Sequence, residues 1–330
     1  MGIIFSLVVV AALIGIASAG VNIVNLQFLF GVIIPYAALL IFLAGMVLKV
    51  LKWGRSPVPY CIPTTCGQQK SLPWIKYSKL DNPSGSAGVV GRMLLEILLF
   101  RSLFRNLKSE MRDGPRVVYG WEKWLWLGGL VFHWCFLIII IRHLRFFTQP
   151  VPALVNMVDS LDGFLQIGTP HFLITGVLLL AAVTYLLLRR LLIPQVKYIS
   201  LSADYFPLFL IMAIASTGIL MRYFIRVDII KVKELTISLA TLSPKVPDGI
   251  GTIFYIHIFL ISMFFAYFPF SKLVHLGGIF LSPTRNLPNN SRVKRHVNPW
   301  SYDVKVHTYE EYEDEFRDKM KTVNLPLEKE

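Results

Sequence analysis

Residues 124–147 read WLWLGGLVFHWCFLIIIIRHLRFF, an apolar run broken only by two histidines, His133 and His143, before basic residues close it. About 20 apolar residues suffice to cross a bilayer as a helix. Imidazole is costly inside such a helix unless it has a partner, so each intramembrane histidine is a functional candidate. Five more runs of this kind occur, at residues 3–19, 26–48, 172–188, 206–221 and 250–274. The last carries His257 and ends at His275. The chain is expected to be an all-α integral membrane protein of six transmembrane helices with an antiparallel histidine-bearing pair, multi-pass in the cell membrane.

Composition agrees. Of 330 residues, 55% are hydrophobic and only 16% charged, and mean hydropathy is +0.58. A soluble domain of this length cannot hide so much apolar surface, so the lipid bilayer acts as part of its solvent. The net charge of +13 lies mainly beside apolar runs, where it sets topology; nucleic-acid binding is not expected. Residues 52–122 carry more than twice as many Lys and Arg as acidic residues, whereas residues 147–170 carry none and contain Asp159 and Asp162. Both termini therefore read as cytoplasmic, with 147–170 external. Residues 223–248 go against this pattern with Arg226, Lys231, Lys233 and Lys245, so a structured external loop is expected there. The first run ends in Ala17-Ser18-Ala19, which resembles a signal-peptidase site, but no basic segment precedes it and a second span follows closely; it reads as a retained helix.

Four regions result: residues 1–51 with two spans, 52–122 as a cytoplasmic loop region, 123–275 as a four-helix core, and 276–330 as a cytoplasmic tail. Within the loop region, residues 93–104 are apolar enough to lie on the membrane surface. In the tail, Thr308 and Glu311 form a capping box ahead of a stripe of Tyr309, Tyr312, Phe316 and Met320, expected to be a helix that docks a cytosolic partner.

The third and sixth spans run in opposite directions. His143 and His257 then lie at the external end and His133 and His275 at the cytosolic end, giving two bis-histidine pairs suited to haem iron. Ten residues separate the first two histidines, about 15 Å of helix; eighteen separate the others, about 27 Å and five whole turns, which puts His257 and His275 on one face. Gly129 is expected to clear space for a porphyrin edge near His133, with Gly128, Gly277 and Gly278 similarly placed. A zinc or copper site would gather its ligands at one depth rather than two. Cys61, Cys66 and Cys135 form no C-x-x-C pair, which argues against a protein-held iron–sulfur cluster or covalent haem. His171, His296 and His307 read as interfacial or solvated. Arg142, Arg145, Gln149, Asp159 and Asp162 lie near the outer pair.

The 10- and 18-residue histidine spacings resemble the cytochrome b (gamma) subunit of respiratory nitrate reductase. The strings IPTT (62–65), GQQKSLPWIK (67–76), LDNPS (80–84), RSLFRN (101–106), RHLRFF (142–147), FLSPTRN (280–286) and HTYEEYE (307–313) are similar to DsrM, the membrane cytochrome b of the DsrMKJOP complex of sulfate reducers, also called the cytochrome b component of an Hdr-like menaquinol oxidoreductase in archaea. The likeness spans nearly the whole chain. It implies two haem b groups held by His133, His143, His257 and His275, and menaquinol as substrate, with quinone contact for Arg142, Arg145, Gln149, Asp159 and Asp162 or, for the arginines, pairing with haem propionates. It also implies a cytoplasmic iron–sulfur partner resembling heterodisulfide reductase, with further membrane and periplasmic subunits in some complexes, in a respiratory chain of sulfate respiration. A transporter subunit and a haem-free membrane anchor are the rival readings. Paired spans broken by Gly or Pro, the mark of many transporters, are absent from the sequence.

Overall fold

The computed structural model describes residues 2–58, 67–294 and 306–329. Its helices in chain order are α1 (Gly2–Asn22), α2 (Ile34–Gly54), α3 (Ser86–Leu99), α4 (Arg101–Phe104), α5 (Lys123–His143), α6 (Ala153–Asp162), α7 (Ile174–Leu192), α8 (Pro194–Ile199), α9 (Ser202–Tyr223), α10 (Ile229–Ala240), α11 (Thr252–Tyr267), α12 (His275–Leu281), α13 (Pro283–Asn286) and α14 (Tyr309–Thr322). A hairpin of β1 (Leu107–Arg112) and β2 (Arg116–Trp121) pairs Leu107 with Trp121 and Arg112 with Arg116. Six segments are long and apolar enough to cross a membrane: Gly2–Asn22, Leu29–Gly54, Lys123–Phe146, Ile174–Leu192, Ser202–Tyr223 and Thr252–Phe270. All six expected spans are therefore present as helices.

Helix α11 is the hub. It packs directly on α1, α2 and α9, while α7 joins α9 to α5. Tyr255, Phe259 and Leu260 of α11 are buried within the two apolar clusters that hold the bundle together. The first span belongs to this core: Val10, Ala17 and Val21 are buried in it. α5 meets α11 through aromatic side chains, with Phe136 6.0 Å from Phe264 between ring centres. A layer of rings thus separates the two histidine-bearing spans.

One expectation fails, and the failure has a clear cause. Span six does not run unbroken from residue 250 to 274. α11 stops at Tyr267, the chain passes through short 3₁₀ turns at Phe268–Phe270 and Lys272–Val274, and His275 opens a separate helix. Pro269 lacks the N–H that would continue the ladder, and the Ser271 hydroxyl caps Leu273 N–H at 3.1 Å. Gly45 of α2 makes room for the break, since a Cβ there would lie 2.6 Å from Pro269 Cβ. His257 and His275 therefore do not share one helix face. From His257 the helical part runs ten residues to Tyr267, matching the ten from His133 to His143, and the surplus residues form the break.

Outside the spans, the cationic segment 223–248 is structured as expected. Asp228 caps α10 by accepting from Ile230 N (3.0 Å) and Lys231 N (3.3 Å), and Lys231 Nζ donates to Asp248 O at 2.7 Å. At the opposite end of the bundle, residues 67–104 and 282–294 fold together as a cap. Its centre is Arg92, 2% exposed, which donates to Arg285 O (2.6 and 3.1 Å), Leu287 O (2.8 Å) and Asp81 O (3.3 Å). Buried Asn82 and Asn289 hydrogen-bond to each other. Burial would raise the Asp81 carboxyl, but Arg105 and Arg101 outweigh it and hold it down at about 2. The tail helix α14 has the expected capping box, Thr308 Oγ1 accepting from Glu311 N at 3.2 Å and Glu311 returning to Thr308 N. Cys61, Cys66 and His296 lie outside the described residues.

The cap predicts its own weak point. Arg92→Ala would leave buried carbonyls on three residues without a donor, at about 1–3 kcal/mol each. The expected result is a lower melting temperature of the purified chain and faster tryptic cleavage within residues 67–104. Arg92→Lys, which keeps the charge but not the fork of donors, should recover only part of the loss.

Candidate functional site

Two of the four histidines meet ring to ring. His133 and His275 present their rings to each other at 5.9 Å between centres and 84° between planes. His143, the last residue of α5, has its ring 5.8 Å from that of Phe146, and His257 lies on α11. The inner pair is open on one side, both residues being exposed, whereas His257 is buried and His143 partly so.

In every case Nδ1 is already engaged. His133 Nδ1 lies 2.7 Å from Gly129 O, His143 Nδ1 2.7 Å from Ile139 O, and His275 Nδ1 3.1 Å from Lys272 O. His257 differs. Its Nδ1 meets Thr217 Oγ1 of α9 at 2.8 Å, and that hydroxyl bonds in turn to Ala213 O (2.9 Å) and Ile214 O (3.0 Å). With the hydroxyl proton on one of these carbonyls, Thr217 Oγ1 accepts from His257 Nδ1–H. In that arrangement all four neutral rings carry the proton on Nδ1 and keep the Nε2 lone pair, as metal-bound imidazoles do.

The donor set fits haem. An iron held by two imidazoles at about 2 Å per bond carries their ring centres roughly 6 Å apart, and the inner pair shows that spacing. Among the described residues no three His, Cys, Asp or Glu side chains converge on a point that would hold a bare metal ion. Aromatic rings line the gap: Phe132 sits 5.0 Å and Phe100 4.8 Å from His133, and Phe146 5.8 Å from His143. The glycines divide. A Cβ on Gly218 would come within 3.4 Å of His257 Cε1 and one on Gly129 within 3.5 Å of Leu103. Gly128, by contrast, is a packing contact with α7, because a Cβ there would lie 2.6 Å from Tyr185. Gly277 and Gly278 face the Trp53 ring.

The polar candidates near the outer pair form one network. Arg142 pairs with Asp159 at 3.1 Å and with Asp162, and Arg145 pairs with Asp159 at 3.1 Å. Asp162 also accepts from Thr175 N (2.8 Å) and Thr175 Oγ1 (2.6 Å), which locks α6 onto α5 and α7. Gln149 accepts from Lys233 of α10, and Thr236 donates to Phe146 O. Helices α6 and α10 thus roof the outer end. The Asp162 side chain is 2% exposed, while Asp159 (31%) and Arg145 (42%) keep an open edge. Reasoning from the sequence missed Thr217, Phe100 and Lys233. Only a hydroxyl beside Gly218 on the face of a span could have pointed to the first.

Comparison with known proteins agrees with this architecture. The signature of the nitrate reductase gamma subunit family matches residues 120–296, the stretch that carries all four histidines. An Hdr-like menaquinol oxidoreductase cytochrome b-like subunit of Archaeoglobus fulgidus is 45% identical over 82% of this chain and 83% of its own. Its counterpart in Archaeoglobus profundus is 41% identical over 81% of each. The dihydromethanophenazine:CoB–CoM heterodisulfide reductase of Methanosarcina thermophila has a component that is 26% identical over 77% of this chain and 90% of its own. With six apolar spans, a matching family signature and relatives this close over most of its length, the chain belongs to the nitrate reductase gamma subunit family, among the Hdr-like menaquinol oxidoreductase cytochrome b-like subunits.

Proposed function

We propose that the chain is the di-haem b membrane subunit of a menaquinol-linked oxidoreductase. In this reading it carries electrons between menaquinol at the outer end and a cytoplasmic iron–sulfur partner resembling heterodisulfide reductase, in respiratory sulfate or sulfite metabolism. The observation that carries the proposal is that four imidazoles on two spans each have Nδ1 hydrogen-bonded, with two of the rings 5.9 Å apart. Two haems b, one on His143 and His257 and one on His133 and His275, would supply one-electron carriers at two depths. A haem-free anchor or a transporter gives no reason for four histidines on two membrane spans. The menaquinol and heterodisulfide-reductase parts of the reading rest on the names of the relatives.

The chain's own groups do the remaining work. Phe100 and Phe132 pack against the His133 ring and hold its plane. At the outer end Asp162 and Arg142 spend their bonds on anchoring α6. Asp159 and Arg145, with open edges, are the groups placed to meet a quinol headgroup, Asp159 accepting a proton at a carboxylate oxygen while Arg145 steadies the charge. Gln149 and Lys233 close the roof above them.

Three outcomes test this. A redox-difference spectrum should show two protohaems per chain, both low-spin and reducible by a menaquinol analogue. His143→Ala should abolish mainly the outer one and His275→Ala mainly the inner; two haems retained in all four single histidine variants would refute the assignment. Thr217→Val removes the acceptor on His257 Nδ1 and with it electron donation from that imidazole. The outer haem's midpoint potential should rise and its ferric EPR signal shift, with the inner haem unchanged and Thr217→Ser restoring both. Finally, Tyr309 and Tyr312 remain exposed on α14, and the partner is proposed to cover them. A chain ending at residue 298 should keep both haems yet fail to copurify the iron–sulfur subunit; full-yield capture would remove the docking role.

A further inference from the structure

Helices α3 and α4 lie outside the stretch matched by the family signature, and α3 is amphipathic in the inverse sense to a helix bathed in water. Val90, Leu94, Ile97 and Leu98, spaced to form one stripe, are 58%, 52%, 36% and 43% exposed. The charged groups point inward instead. Arg92 is buried on backbone carbonyls, and the Glu96 carboxylate binds Ser102 N–H at 3.1 Å, the Ser102 hydroxyl and Arg285 at 3.3 Å. A helix at a water interface shows the opposite arrangement.

The end of α3 lies deep. Leu103 is the neighbour of Gly129, and the Phe100 ring sits 4.8 Å from that of His133. Gly129 and His133 are six and ten residues inside Lys123, about 9 and 15 Å along the span. There the chain reverses through Phe100, whose φ is 48°. Protein donors hold three carbonyls of this helix end. Trp134 Nε1 donates to Leu98 O at 3.0 Å, Trp126 Nε1 donates to Leu99 O at 2.7 Å, and Phe100 N donates to Glu96 O at 3.1 Å. A helix terminus inside hydrocarbon must be satisfied in this way, because an unpaired backbone group there costs several kcal/mol.

We propose that residues 86–104 form a re-entrant helical hairpin, its Val90–Leu94–Leu98 stripe lying against lipid acyl chains in the leaflet at the His133 end and its tip seated beside His133. The occupant is lipid because the stripe continues the exposed apolar surface of α5, where Trp134 is 40% and Leu137 45% exposed. This placement depends on α5 spanning the membrane and not on what the histidines hold, so it stands or falls separately from the haem assignment.

The test uses the full chain in its native membrane or in lipid nanodiscs. In a background with Cys61, Cys66 and Cys135 replaced, Leu94→Cys, Leu98→Cys and Ser109→Cys are exposed to a charged maleimide, with haem content measured for each. Position 109, in the hairpin β1–β2, should label freely. Positions 94 and 98 should label about tenfold more slowly or not at all until denaturation, since a thiol in hydrocarbon does not ionise. In parallel, the unsubstituted chain is irradiated with a phospholipid carrying a diazirine in its acyl chain, which needs no folded variant, and adducts are expected on residues 90–98. Labelling at 98 as fast as at 109 overturns the proposal. Protection without lipid adducts also overturns it, because a protein surface would then cover the stripe.

Discussion

An imidazole in hydrocarbon has two nitrogens to satisfy, and in this chain one of the two is settled before any ligand arrives. Three of the four Nδ1–H groups return to a backbone carbonyl three or four residues earlier on their own chain. Such a bond needs no neighbour, so each ring is aimed by local geometry alone. The fourth borrows a hydroxyl from α9, and this ties the orientation of His257 to how α9 packs on α11. The helix packing around them is distributed unevenly. Close helix packing is concentrated on α11, α9, α7 and α1, and the interval between α5 and α11 is left to aromatic side chains.

Much of this was legible in the sequence. Apolar runs of bilayer length and the position of each histidine within them place the four rings at two depths, whatever the details of packing. Two features were not legible. The break at Pro269 hides in a run that hydropathy treats as continuous, because Phe268, Phe270, Leu273 and Val274 keep the average high while one missing N–H and one serine cap end the helix. Counting turns across it put His257 and His275 on one face. His275 still comes to lie 5.9 Å from His133, but for another reason. Thr217 was invisible because its role depends on a neighbour forty residues away, and no periodicity encodes that.

The polar network of the outer end shows how charge near a membrane surface divides its duties. Arg142 and Asp162 are enclosed and mutually satisfied, with Thr175 completing the set, so they contribute rigidity. Asp159 stands between two arginines with an edge left open. From the sequence all of these were equivalent candidates, since the distinction lies in burial and partner count rather than in residue type. The roof of α6 and α10 over this end leaves the outer histidines enclosed, while the inner ones stay open toward the cap.

The break after Tyr267 also divides the molecule mechanically. His257 belongs to the most tightly gripped helix of the bundle, whereas His275 begins a short run whose continuation, at Arg285 and Leu287, is clasped by Arg92 of the cap. The two histidines of the last span are thus anchored by different parts of the molecule, His257 by its neighbours in the bundle and His275 through the chain that the cap clasps.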